Sequence, residues 1–172
     1  MNDALQLAMK FTLKAEGKYT DDDGGPTMYG VTQMTYDRYR DSVGMPRQSV
    51  RLITMPEVRV IMQSRYWHPA RCDVLPEKVA IAHFDTAYNE GVDGAIEILQ
   101  EALGVERDGI IGPLTEHAID IAEPVALLTD YLDARRDAYH RIVADSPADS
   151  IYLDGWLNRV DELEKYLGAI NG

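Results

Sequence analysis

The residues with the clearest chemical potential lie close together near the amino terminus. Within residues 14–32, KAEGKYTDDDGGPTMYGVT, a glutamate at position 16 ends an apolar helical pattern. Asp21, Asp22 and Asp23 follow, then two glycines and a proline, then a Thr27-x-x-Gly30-x-Thr32 unit. Glu16 continues the spacing of Leu5, Met9 and Thr12/Leu13, which sets it on or beside the face those residues define. A carboxylate at such an edge is costly unless paired, hydrogen-bonded or used. The acidic, glycine-rich loop after it can bring a second, more solvated carboxylate nearby. Two carboxyl groups in unequal surroundings have separated pKa values, the arrangement that glycoside hydrolysis requires. Each element also has a plain explanation. Glu16 could be a solvated helix-end residue, the aspartates a surface loop, and Thr27, Gly30 and Thr32 turn and cap residues only. Their clustering is what favours chemistry.

Other chemistries fit less well. The four histidines are scattered, with no His-x-x-x-His pair and no His/Cys cluster, so no metal and no cofactor are expected. The adjacent aspartates lack the alternate spacing of a calcium loop. His83 reads as a satisfied core histidine, and Cys72 has no sequence signature of a nucleophile. Asp108-Gly-Ile-Ile-Gly-Pro113 is glycine-rich but has neither the lysine nor the spacing of a phosphate loop. Tyr29, Tyr66, Trp67, Tyr88 and Trp156 are the aromatic candidates for stacking on sugars; Tyr29 is the best placed, whereas Trp156 reads as core.

The elements needed to position these residues are helical. Residues 3 to 16 form an amphipathic pattern that Gly17 stops. Residues 17 to 31 read as a loop, and Thr32 as the N-cap of a short helix carrying Met34, Tyr36 and Tyr39. Thr54-Met55-Pro56-Glu57 is a strong helix start that runs out at Tyr66-Trp67-His68-Pro69. Further helices are expected from Glu77 to about Asn89 and over residues 95–103. Another follows Gly112-Pro113, with Thr115 as a possible cap, and the last two cover about 124–144 and 151–168. Strand alternation is nearly absent; Val31 and residues 109–111 are the only candidates for short extended pieces. The fold class is therefore mostly α, with at most a very small β element.

Of 172 residues, 29 are acidic and 17 basic, a formal net charge of -12. This argues against nucleic acid and against docking on anionic lipid. No stretch reaches the length of a membrane span, so no membrane insertion is expected. A single cysteine excludes an intramolecular disulfide framework. Residues 1 to 20 lack a secretory signal pattern, so synthesis in the cytoplasm is the expectation, and a target outside it would need another route of release. The net charge also predicts weak or repulsive long-range attraction to any anionic surface.

Glu16-Gly17-Lys18-Tyr19, then Asp22-Asp23-Gly24-Gly25-Pro26-Thr27-Met28-Tyr29-Gly30-Val31-Thr32, resembles the signature of glycoside hydrolase family 108, N-acetylmuramidases of bacteriophage endolysins and bacteria. The likeness continues through Tyr66-Trp67, residues 73–76, Val79-Ala80 and residues 84–91. Residues 99–105, 108–115 and 155–160 are similar to the peptidoglycan-binding segment that follows the family's catalytic segment. The resemblance implies a lysozyme-like helical fold with a catalytic segment over 1–91 and a peptidoglycan-binding helical segment over 92–172, packed as one globule. It implies a monomer acting on peptidoglycan glycan strands, with Glu16 in the catalytic glutamate's place. Asp22 or Asp23 is then the second carboxylate, with Thr32 as helper. Thr27, Tyr29, Gly30, Tyr88 and Asn89 are candidate substrate contacts. Lys18, Asp23 and Pro26 depart from the family pattern, so the motif aspartate is either Asp22 or Asp23, with order favouring Asp22.

Overall fold

The computed structural model describes residues 4–15, 19–22 and 25–170. Glu16 and Asp23 lie outside the described residues, as does the side chain of Asp22. Helix α1 spans Ala4–Ala15, and three strands follow: β1 Tyr19–Asp22, β2 Gly25–Met28 and β3 Val31–Thr32. Then come α2 Gln33–Ser42, α3 Met55–Met62, α4 Glu77–Glu90, α5 Val92–Leu103, α6 Pro113–Ile121, α7 Pro124–Asp145 and α8 Ser150–Ala169. A π turn over Gln63–Trp67 extends α3 to the region before Pro69.

The mostly helical architecture agrees with the sequence. The acidic loop differs: in place of an irregular segment, an antiparallel sheet of order β1-β2-β3 forms, with Tyr19 opposite Met28 and Thr27 opposite Thr32. Turn chemistry explains it. Tyr29 and Gly30 both take positive φ, 51° and 71°, between the paired residues Met28 and Val31. Two consecutive left-handed residues are what a tight two-residue hairpin needs, and glycine supplies the second without strain. Residues 109–111 form no strand; Gly109 is left-handed, and the segment is a turn held to Gln100.

Helix ends follow their signals. Thr32 caps α2 by accepting from the Thr35 amide (3.2 Å), and Glu57 accepts from the Thr54 amide (2.9 Å) at the start of α3. Glu123 caps α7, accepting from the Val125 and Ala126 amides. Thr115 is not a cap. It is buried, against the Gln100 side chain, and Gly112 holds the N-cap position of α6.

Helix α4 is the centre of the molecule. Every residue from Val79 to Ala87 is buried, including His83, Asp85 and Thr86. Helices α1, α5 and α7 pack around it, and one cluster of buried side chains runs from Leu5 and Ala8 through Phe84 and Leu99 to Tyr131, Val160 and Leu163. A helix buried on all sides must satisfy its polar groups internally. His83 does so through the Ala70 carbonyl (3.0 Å) and the Tyr131 hydroxyl (3.1 Å), and burial pulls its pKa down to about 4.

Candidate active site

Asp85 fixes where α1 ends. Its carboxylate accepts from the Thr12 hydroxyl of α1 (2.9 Å), from Arg135 of α7 (2.8 Å) and from Arg159 of α8 (2.7 Å). Asp85 and Arg135 are both 0% exposed. Burial disfavours the Asp85 charge, but the two guanidiniums outweigh it and hold its carboxyl below the ordinary carboxylate range. The last turn of α1, which leads directly into Glu16, is thereby tied to three other helices.

Beside that turn lies a cleft of about 670 Å³. One wall is α1, through Met9, Lys10, Leu13 and Lys14; the other is the start of α3, through Met55, Pro56 and Arg59; Tyr29 of the hairpin turn completes it. The apolar floor and flanking polar heads suit a sugar polymer. Among the described residues, Lys10, Lys14 and Arg59 are its charged lining side chains. These α1 and α3 residues were missed by motif reasoning. The available signal was the i, i+4 spacing of Lys10 and Lys14 on the outer side of an otherwise apolar helix.

The expected site residues are distributed around the hairpin. Tyr29 faces the cleft. Gly30 lies against Tyr88: a Cβ at position 30 would sit 1.6 Å from the Tyr88 hydroxyl oxygen. The structure thus brings together two candidates 58 positions apart in sequence. Tyr88 also packs on Tyr66, with ring centroids 5.3 Å apart. Thr27 donates to the Gly25 carbonyl (3.3 Å), a local turn contact. Thr32, besides capping α2, lines a second depression of about 490 Å³ with Gln33, Asp37, Arg38 and Arg47. Asn89 donates to the Asp85 backbone carbonyl one turn earlier (2.6 Å). Asp22 belongs to β1, opposite Gly25.

Other aromatic and nucleophile candidates resolve differently. Trp67 is 5% exposed, with its indole N–H on Asp73 (2.6 Å), so it is core rather than a sugar platform. Trp156 is half-buried and stacks on Tyr139 (5.2 Å) at the edge of the core. Cys72 is buried, which pushes its thiol well above the ordinary range and leaves it inert. Among the described residues, no three His, Cys, Asp or Glu side chains group as a metal site, and no helix is long and apolar enough to cross a membrane.

A small three-stranded sheet, a cleft beside the first helix and a helical body built on a buried central helix are together a mostly helical, lysozyme-like fold. The family follows from comparison with known proteins. Residues 9–91 match the family described as Glycosyl hydrolase 108, and residues 94–161 match the one described as Predicted Peptidoglycan domain. The chain is similar to the solved structure of Brucella abortus SagA, with 28% identity and a TM-score of 0.73, covering 96% of this chain and 94% of that one. No curated protein matches it. The family and the peptidoglycan segment together make it a peptidoglycan hydrolase.

Proposed function

We propose that the chain is an N-acetylmuramidase, cutting the β-1,4 bond between N-acetylmuramic acid and N-acetylglucosamine. In this reading Glu16 is the general acid: protonated in an apolar setting, it donates to the glycosidic oxygen as the bond breaks. Asp22 or Asp23 stabilises the positive charge developing at C1 or positions water, with Thr32 as helper. Tyr29, Gly30 and Tyr88 form the sugar-facing side, with Thr27 and Asn89 as further contacts. The observation that carries the reading is the cleft itself. Its wall is the stretch of α1 that runs into Glu16, and its corner is the hairpin turn of the acidic segment.

Glu16→Gln keeps the shape and removes the acid. It should fold like the parent and lose roughly 10²–10⁴-fold in release of reducing ends from purified peptidoglycan. Parent-like turnover would remove Glu16 from the mechanism. A non-catalytic wall-binding or phage structural module on the same scaffold is the competing reading; it predicts wall binding with no new reducing ends from the parent protein. We further propose the setting of a bacteriophage endolysin, on the family likeness alone. Cells expressing the chain should then lyse when the inner membrane is permeabilised and remain intact otherwise.

A further inference from the structure

A second groove, of about 570 Å³, runs along the opposite side of Lys10 and Lys14, between α1 and α8. The two lysines line both hollows and form the ridge between them. The groove's base is aromatic. Phe11 and Tyr166 pack with ring centroids 5.3 Å apart, and the Tyr166 hydroxyl donates to the Leu7 carbonyl (2.9 Å). Arg159 is held on Asp85 and lies over the Phe11 ring. Lys165 rises from α8 opposite the ridge.

The charge in this groove is unusual for the chain. Three of the five lysines, Lys10, Lys14 and Lys165, line it, and none has a carboxylate partner among the described residues. Glu162 is the one acid in the lining among the described residues. An acidic protein that gathers unpaired ammonium groups over an aromatic base presents a receptor for anions attached to a partly apolar chain. In peptidoglycan, the muramyl sugar carries such a chain on its lactyl group: a short peptide ending in carboxylates.

We propose that the α1–α8 groove binds the carboxylates of the muramyl stem peptide while the glycan occupies the neighbouring cleft. Lys10 and Lys14 are the shared ridge, and Lys165 is the far anchor. This rests on the muramidase reading for its substrate but uses a different surface. It makes a peptide-bearing strand the preferred substrate and sets the orientation in which the strand enters.

The test uses the full chain and calorimetric titration with an N-acetylmuramyl-L-alanyl-D-glutamyl probe, its carboxylates either free or amidated. The parent should bind the free acid about 5–10-fold more tightly at low salt, a gap that about 0.5 M salt largely erases. Lys165 is exposed, so Lys165→Glu should fold normally, confirmed by circular dichroism, and shrink the gap to about twofold or less. Glu162→Gln should widen it. Equal binding of both probes by the parent, an undiminished gap in Lys165→Glu, or tighter binding of polyglycerol phosphate than of the muramyl peptide overturns the proposal. Release of reducing ends from intact, peptide-bearing peptidoglycan is measured in parallel. Discrimination without cleavage would sink the muramidase reading and leave the groove standing; cleavage without discrimination would do the reverse.

Discussion

Helix α4 and the sheet β1-β2-β3 meet where the Tyr88 hydroxyl lies against Gly30, yet they are built on opposite terms. Helix α4 is buried on every side along Val79 to Ala87, and its polar groups are satisfied by distant partners on α1, α7 and α8. The strands are two to four residues long; Gly25 to Met28 are only half-buried, and the sheet's shape comes from left-handed turn residues. The contrast shows a division of labour. The helix fixes where the end of α1 stands, and the hairpin, with little core of its own, holds the residues proposed to meet the sugar. Low burial suits a surface that must exchange water for substrate; full burial suits a frame.

The comparison breaks first at Asp85. Asp85→Ala leaves Arg135 buried without its carboxylate and should lower stability by about 3–5 kcal/mol, a fall of about 10 °C in Tm for a chain of this size, read by thermal denaturation. It should also release the end of α1 and reduce hydrolysis even below the unfolding transition.

The next effect is a pH dependence located in the frame. His83 has a folded pKa of about 4 against an ordinary value of 6.5. Between these values the unfolded chain binds the proton and the folded one does not, so acidification favours unfolding. Stability should be constant above the unfolded pKa and fall by about 3 kcal/mol on going from pH 6.5 to pH 4. Asp85, whose folded pKa is also depressed, adds loss in the same direction at lower pH. Urea titrations across this range check the slope; His83→Gln should flatten it.

The smallest effect isolates the hairpin. Gly25 and Gly30 both have positive φ, but a Cβ at 25 meets nothing within 4 Å, whereas one at 30 meets Tyr88. Gly25→Ala should therefore show only the backbone penalty, roughly 1–2 kcal/mol. Gly30→Ala should exceed it, and Tyr88→Leu in the same chain should recover the excess and leave the backbone part. A double-mutant cycle by urea denaturation measures this; equal losses at the two glycines would mean that Tyr88 yields freely.

Much of this was legible from residue order. The amphipathic pattern of α1, the caps at Thr32 and Glu57 and the start of α4 each follow a local rule that needs no distant partner, and the order of motifs indicated the family. Of the sheet only a very small β element with Val31 was legible; β1 and β2 were not, because strands this short carry no alternation, and Tyr29 is not a residue whose side chain announces a positive φ. The burial of Trp67 was equally hidden, since an aromatic pair before a proline looks the same in a groove or in a core.

By itself the sequence determined the helical frame, the turn residues, the candidate acid at position 16 and the acidic character of the chain, because periodicity, capping and charge are properties of neighbours along the backbone. Only the tertiary structure decided that Asp85 would bind three other helices together, that Gly30 would meet Tyr88, and that Lys10 and Lys14 would stand between two hollows. Those outcomes depend on which helix faces come together, and residues far apart in the chain acquire a shared environment only when the core that separates or joins them has formed.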